Sequence, residues 1–380
     1  MRLQFRVLVS VRPFRGHLHS LVPLASALQS AGHHVVVATA ADIAPAVEET
    51  GLQQLMAGMH TRDAEIRFPG ENPAYGYSAL RAKVDDLLNI MRTIFRPNII
   101  IRESTDLAAS IAAEVVEVPC VTFGVCTAIP LSVWLKQAGS SLSQLRSDYG
   151  LPADPELEFL HRTLYIDVVP PSVESGWIKS IPDVLYIRYE PWDGGAGRQR
   201  PAWLGQLPDR PTALVTLGTV YNKQTSVMKT FLSALEGDDI NVICTLGDDQ
   251  PMQAFLPAPV NVRIEQYLPH SLVLPSCDVL LCHGGFNSVM GALCAGVPVV
   301  CVPQAGDQFV NAQRAADIGF GIELGNQAAA PATREAVREA VRRVVRERSF
   351  RERASTIQAE IEGQIRVSDV VGTIEKLGTT

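Results

Sequence analysis

The chain has 380 residues, with 33 Lys and Arg against 40 Asp and Glu, a net charge of −7, 47% hydrophobic and 19% charged residues. That length exceeds one ordinary hydrophobic core and fits two domains of typical size, and the composition is that of a globular protein. The negative balance excludes broad nucleic-acid binding, which needs clustered cations against phosphate, and no apolar run approaches the ~20 residues of a membrane span.

The chain opens with MRLQFRVLVSVR, whose brief apolar run is interrupted by Arg6 and Arg12, so it reads as a first strand (5–11) rather than a signal peptide. After a loop, a helix from His17 carries Leu18, Leu21, Leu24, Ala25 and Leu28 and stops at Ala31-Gly32, and residues 35–38 form a second strand. This βαβ opening is Rossmann-like but lacks GxGxxG, which argues against a dinucleotide site. His17 falls at the carboxyl end of the first strand, the edge where open parallel sheets bind ligands. A neutral imidazole there can take a proton at neutral pH, or it can simply begin the helix.

Residues 42–57 predict a helix and a short strand, and 60–76 an irregular loop punctuated by Pro69, Gly70, Asn72, Pro73 and Gly76. A helix over 78–95 ends near Pro97. A buried strand at 99–101 runs into Arg102-Glu103, followed by a helix at 105–116 and a strand at 120–124. Residues 125–162 read as helices that wall a pocket or pack on the sheet, and 165–169 and 184–187 as short strands. The stretch YEPWDGGAGRQRPAWLGQLPDRP, 189–211, has the Gly, Pro and charge content of a domain linker. A second α/β pattern then starts, with strands at 213–217, 241–246 and 262–264, a helix at about 224–236 and a helical turn at 270–274. Charged amphipathic helices at 333–345 and 350–361 and a final helix at 366–378 close the chain. The seven cysteines lie mostly in apolar segments without a CxxC pair, as expected of free thiols in a reducing cytoplasm.

The most informative stretch is LCHGGFNSVMGALCAGVPVVCVPQAGDQFVN, 281–311. A buried strand, Val279-Leu280-Leu281-Cys282, turns through His283-Gly284-Gly285 into a helix that Gly296 and Pro298 stop, and 299–302 is another buried strand. Free backbone N–H groups, the positive end of a helix dipole and the side chains of Asn287 and Ser288 converge at that turn, which suits an anion and a diphosphate best. His283, Gly284, Gly285, Asn287, Ser288, Ala295-Gly296-Val297-Pro298, Pro303, Asp307-Gln308 and Asn311 together resemble the nucleotide-sugar signature of the UDP-glycosyltransferase superfamily, in particular its bacterial antibiotic and secondary-metabolite members.

The resemblance implies an α/β chain of the GT-B fold, two Rossmann-like parallel-sheet domains facing across a cleft. The expected acceptor-binding domain is 1–195, the linker 196–211 and the nucleotide-sugar-binding domain 212–363, with a C-terminal helix over 364–380 that packs back on the first domain. It also implies roles. Gly16-His17 matches the family's Gly-His motif, whose histidine is the general base, and His19 falls at a position that is usually polar and non-catalytic. Glu103 stands at the strand end where the family places the acidic partner of that base, most often Asp, so the longer side chain is a departure. Asp106 is a reserve choice. His283 resembles the histidine that donates to a donor phosphate, and Gly218-Thr219 is a second turn of the same kind, a plausible clamp opposite Gly284 and Gly285. Tyr267-Leu268 sits where the family usually has Trp beside the nucleobase, and Asp307 and Gln308 match the pair that contacts the sugar hydroxyls.

Family members commonly carry Glu three residues after the Ser, where it holds the ribose hydroxyls; this chain has Gly291. A donor without the ribose 2′-hydroxyl misses that Glu less, so a dTDP-sugar is favoured over a UDP-sugar. The carboxylate pairs 85–86, 238–239 and 248–249 are adjacent rather than of DxD type, and no zinc spacing occurs, so no metal and no cofactor is expected. The expected activity is inverting transfer of a sugar to a hydroxyl of a hydrophobic small-molecule acceptor, such as a polyketide-type metabolite. Phe68, Tyr75, Tyr77, Phe123, Trp134 and Leu135 are candidates to line its site. Alternatives are a nucleotide-sugar epimerase on the same fold, a silent auxiliary subunit and a lipid-linked cell-wall transferase. No nucleic-acid partner and no stable membrane insertion is expected, and a homodimer is left open.

Overall fold

The computed structural model describes residues 4–218, 224–247, 250–325 and 332–379. Contacts divide the chain into two compact units, one of residues 1–190 with 365–380, the other of 191–364.

The first unit is built on β1 (Arg6–Ser10), α1 (Arg15–Ser30), β2 (His34–Thr39), α2 (Ala44–Glu49), β3 (Gln53–Met56), α3 (Thr61–Arg67), α4 (Tyr77–Asn89), β4 (Ile99–Glu103), α5 (Leu107–Val115), β5 (Cys120–Phe123), α6 (Leu131–Asp148), β6 (Tyr165–Asp167) and β7 (Val184–Tyr186). Its seven strands pair in parallel in the order β3-β2-β1-β4-β5-β6-β7. Helices cover the sheet, so central strands such as Ile99–Glu103 are buried along their whole length and read as unbroken apolar runs. Leu80, Val84, Leu87 and Leu88 of α4 recur at helical spacing and meet Ile111 of α5 and Leu142 and Leu145 of α6 in one core. The expected loop at 60–76 contains α3, and α6 is a single 18-residue helix within the mixed region 125–162.

The second unit contains β8 (Thr212–Thr216), α7 (Thr225–Leu235), β9 (Asn241–Thr245), β10 (Val262–Glu265), β11 (Val279–Cys282), α8 (Phe286–Cys294), β12 (Val299–Cys301), α9 (Gln308–Ile318), β13 (Gly321–Glu323), α10 (Arg334–Arg346) and α11 (Arg348–Gly363). Six parallel strands run in the order β10-β9-β8-β11-β12-β13. Helix α10 buries Val337, Ala340, Val341 and Val344, one face of a 3.6-residue period, and Thr333 caps it by accepting from the Ala336 N–H at 3.2 Å. Residues 308–323, without an assignment from sequence, form α9 and edge strand β13.

The stretch 191–211 is packed rather than free. The Asp193 carboxylate accepts from the Ser271 N–H and hydroxyl at 2.7 and 2.9 Å, the Arg263 guanidinium lies 4.1 Å above the Trp203 ring, and Arg210 Nε donates to Asn241 Oδ1 at 2.8 Å. Its turn-rich composition therefore marks a strap on the second unit, and the boundary falls at Glu190 and Pro191.

Helix α12 (Val371–Leu377) and the residues before it belong to the first unit. Ile365 bridges Ile187 and accepts from the Arg188 N–H at 2.8 Å, Glu375 meets His33 at 3.1 Å, and Val367, Val370 and Ile374 are buried. Replacing Ile374, 2% exposed, with Ala is expected to cost the first unit about 2–5 kcal/mol. Urea unfolding checks this as an earlier transition of that unit; an unshifted curve contradicts the role of the C-terminal helix.

Candidate active site

Both sheets are wound from the middle outward. In the first, the chain leaves β1 toward β2 and β3 and returns to β4 on the other side; in the second, it leaves β8 toward β9 and β10 and returns to β11. The loops that follow the two central strands of each sheet therefore diverge. Their carboxyl ends form the crevice in which open α/β sheets bind ligands. The two histidines singled out from sequence stand at these two points.

In the first unit, His17 lies in the first turn of α1, just beyond β1, and Glu103 ends β4. His17 Nδ1 is 3.2 Å from Glu103 Oε1, in ion-pair range but off the hydrogen-bond line. The imidazole is 27% exposed and the carboxylate fully buried, so the ring can reach a ligand while the carboxylate cannot. Thr105 grips both oxygens of that carboxylate: its N–H donates to Oε2 at 2.6 Å and its hydroxyl to Oε1 at 2.8 Å. Burial pushes the Glu103 carboxyl up, but the facing His17, the Arg12 guanidinium and the Thr105 N–H outweigh it and hold the group down at about 2. Glu103 is thus an anion at neutral pH. Arg12 stacks on the Phe14 and Tyr75 rings at 4.9 and 4.8 Å and donates to the Tyr75 hydroxyl at 2.7 Å.

His19 accepts from Arg15 Nε at 3.3 Å. Asp106 is committed elsewhere, accepting from Ser10 Oγ at 2.6 Å and pairing with buried Lys83 at 2.7 Å, whose ammonium also donates to the Val11 carbonyl at 3.0 Å. That pair ties α4 to β1. Of the aromatic residues expected to line an acceptor site, Phe123 and Trp134 are buried, and Tyr75 is 9% exposed and packs edge-on against Trp134 at 5.3 Å. The faces of α4 and α6 that carry the apolar residues turn to the core, which leaves Tyr77 half-buried and Leu135 exposed; Phe68, just after α3, is half-buried.

In the second unit, the ends of β8 and β11 are neighbours, with Thr216 opposite Cys282. His283 follows β11 and Gly218 lies two residues beyond β8. The approach is close: a Cβ on Gly218 (φ +70°) would stand 2.7 Å from His283 Cε1, and one on Gly285 would collide with Nε2. Gly284 adopts φ +82°, and a Cβ there would meet the Gln308 carbonyl at 3.0 Å. Burial, helped by neighbouring His270, holds the His283 imidazole down at about 4. At pH 7 it is neutral, with one N–H to donate, and its Nδ1 has no hydrogen-bond partner among the described residues. Helix α8 begins at Gly285, which has no side chain to cap it, and Asn287 and Ser288 lie half-buried in its first turn. Thr219, expected opposite this turn, lies outside the described residues.

Tyr267 is 40% exposed, its hydroxyl donating to the Asp193 carbonyl, and Leu268 beside it is half-buried. Asp307, exposed, precedes α9 and accepts from Asn311 Nδ2 at 3.0 Å; the same Asn311 amide donates to the Gly284 carbonyl at 3.0 Å and so links α9 to the glycine turn. Gln308 is 2% exposed, and its Oε1 accepts from the Gln304 and Ala305 N–H groups at 2.8 and 3.1 Å. It therefore orders the 303–306 loop, a task the sequence did not indicate. Thr105 is the other residue that sequence reading passed over. Its only signal was its place two residues after Glu103. Among the described residues no group of three or more His, Cys, Asp or Glu is arranged to hold a metal ion, and no helix is long and apolar enough to cross a membrane.

The erythromycin biosynthesis protein CIII-like N-terminal domain matches residues 75–218 and the C-terminal domain of the same name matches 229–377. L-demethylnoviosyl transferase of Streptomyces niveus is 32% identical over 338 residues, 84% of this chain and 85% of its own length. Aklavinone 7-beta-L-rhodosaminyltransferase of Streptomyces galilaeus is 27% identical over 432 residues, 98% of this chain and 95% of its own. Among solved structures, the spinosyn rhamnosyltransferase SpnG complexed with thymidine diphosphate superposes with a TM-score of 0.83 at 21% identity, covering 97% of this chain and 100% of that one.

Gly285→Ala is expected to displace the His283 ring, an overpacking cost of about 1–3 kcal/mol. Calorimetry with a nucleoside diphosphate should show affinity falling at least about tenfold, with the unfolding of the first unit unchanged. Undiminished binding would contradict the place given to His283.

Proposed function

Because the chain belongs to the erythromycin biosynthesis protein CIII-like family and is a GT-B glycosyltransferase acting on natural-product acceptors, we propose that it inverts the anomeric centre in one displacement, without a metal, and that it prefers a dTDP-sugar. His17, oriented by Glu103, takes the proton of an acceptor hydroxyl. The oxygen attacks the anomeric carbon from the face opposite the diphosphate, the C–O bond to the phosphate breaks, and the nucleoside diphosphate leaves. The acceptor is a hydrophobic aglycone of the aklavinone kind that a relative's name records. The reaction belongs in the cytoplasm, where its free thiols stay reduced.

One observation carries this reading: an accessible imidazole stands against a buried, ionised carboxylate at the carboxyl edge of the first sheet. A base so oriented contributes roughly 10²–10⁴ in rate. On the donor side, neutral His283 and the open start of α8 offer N–H donors where charge develops on the leaving diphosphate, so the proposal assigns that stabilisation to fixed dipoles. The exposed Tyr267 ring stacks on the nucleobase, flanked by Leu268. Asp307 reaches the sugar hydroxyls, and Gln308, with its oxygen already engaged, contributes through its amide nitrogen. Gly218 closes on the diphosphate from the end of the neighbouring strand.

His17→Ala is expected to abolish transfer from matched dTDP- and UDP-sugars to aklavinone, read by HPLC with mass detection, while nucleoside diphosphate binding stays intact. Turnover equal to the parent's ends the assignment. Product stereochemistry by NMR should show inversion.

The dTDP preference rests on Gly291. It lies in α8 one turn after Ser288, and a Cβ there would make ordinary contact with Leu274 Cδ1 at 3.5 Å, so a larger residue is tolerated. Gly291→Glu is expected to move the ratio of kcat/KM for UDP- over dTDP-sugar upward by about tenfold or more, the scale of one new hydrogen bond to a charged group. A parent enzyme that already prefers the UDP-sugar contradicts the dTDP proposal.

A further inference from the structure

We propose that Thr105 is the positioning residue that aims Glu103 at His17, with its hydroxyl as the decisive contact. The inference rests on the reading of His17 as the base. Glutamate brings one more rotatable bond than the aspartate usual in the family, so its carboxylate needs more than the strand end to hold it. Thr105 supplies this by engaging both oxygens, the N–H at 2.6 Å and the hydroxyl at 2.8 Å. The hydroxyl's target, Oε1, is the oxygen that faces His17 Nδ1.

A threonine hydroxyl has a single proton, and here it goes to Glu103. The Arg12 guanidinium, which donates to the Tyr75 hydroxyl at 2.7 Å, adds a favourable charge near the same carboxylate. Arg12 stacks on Tyr75 and Phe14, and the Phe14 ring lies 5.1 Å from that of His17.

Thr105→Val removes the hydroxyl but keeps the volume and the backbone N–H. It is expected to lower kcat about 10–100-fold, the usual effect of losing an outer partner of an active-site ligand, with both KM values within about twofold; Thr105→Ser should restore kcat to within about threefold. Thr105→Ala should lower kcat in the same range and serves if the valine variant fails to fold. In a Glu103→Ala background, Thr105→Val should have no further effect. A full loss persisting in that background, or a valine variant as fast as the parent, overturns this role of Thr105. The ¹⁵N spectrum of the His17 ring decides independently of turnover, assigned by comparison with His17→Ala. The parent should show the Nδ1–H tautomer, and Thr105→Val and Glu103→Ala should show a mixture; an unchanged tautomer in both overturns it. Failure of the parent to transfer sugar from any donor would instead count against the proposed function.

Discussion

Everything at the candidate site depends on the way a parallel sheet is wound when its first strand lies inside it. The chain must leave β1 in one direction and come back to β4 in the other, and it repeats this between β8 and β11. Two loops that part company cannot cover the strand ends between them. In the first unit that uncovered point holds His17 and Glu103; in the second it holds His283 and Gly218. The chemistry-bearing residues are far apart in sequence, 86 positions in the first pair and 65 in the second, and strand order alone brings each pair together.

The two points solve opposite electrostatic problems. At the first, a carboxylate is buried completely and still ionised, because an imidazole, a guanidinium and a backbone N–H offset its desolvation. At the second, burial keeps an imidazole neutral, so it can donate a hydrogen bond without bringing a cation into the fold. Glycine makes the second arrangement feasible. Side chains at 218 or 285 would occupy the space of the His283 ring, and the turn needs a left-handed residue at 284. Neighbouring polar residues then secure the frame: Asn311 spans to the Gly284 carbonyl, Gln308 holds the loop before α9, and Lys83 with Asp106 ties α4 to β1.

Much of this architecture was legible in the chain itself. Unbroken apolar runs such as Ile99-Ile100-Ile101 and Val279-Leu280-Leu281 read as strands buried on both faces, and their alternation with helical periodicities points to parallel α/β units. The Gly-Gly turn running into a helix was legible from local rules alone, and α8 starts there. Residues 191–211 misled because Gly, Pro and charge describe a lack of regular structure, not a lack of packing; Asp193, Trp203 and Arg210 show that an irregular strap can be tightly held. Residues 308–323 escaped because α9 has a weak apolar face and β13 has only three residues.

Sequence by itself determined the two-fold α/β pattern, the glycine turn at 283–285 and the histidine and carboxylate at strand ends, because each is a property of a few consecutive residues. Tertiary structure decided which carboxylate faces His17. Asp106 and Glu103 are equally near in the chain, but strand register points one at Lys83 and the other at the imidazole. It also buried Trp134, which suited a ligand wall, since which face of α6 meets the core depends on what packs against it, and Tyr75 packs edge-on against Trp134 from the segment before α4. And only folding joined Arg12 to Tyr75, 63 positions apart in the chain, through a hydrogen bond that no local pattern relates.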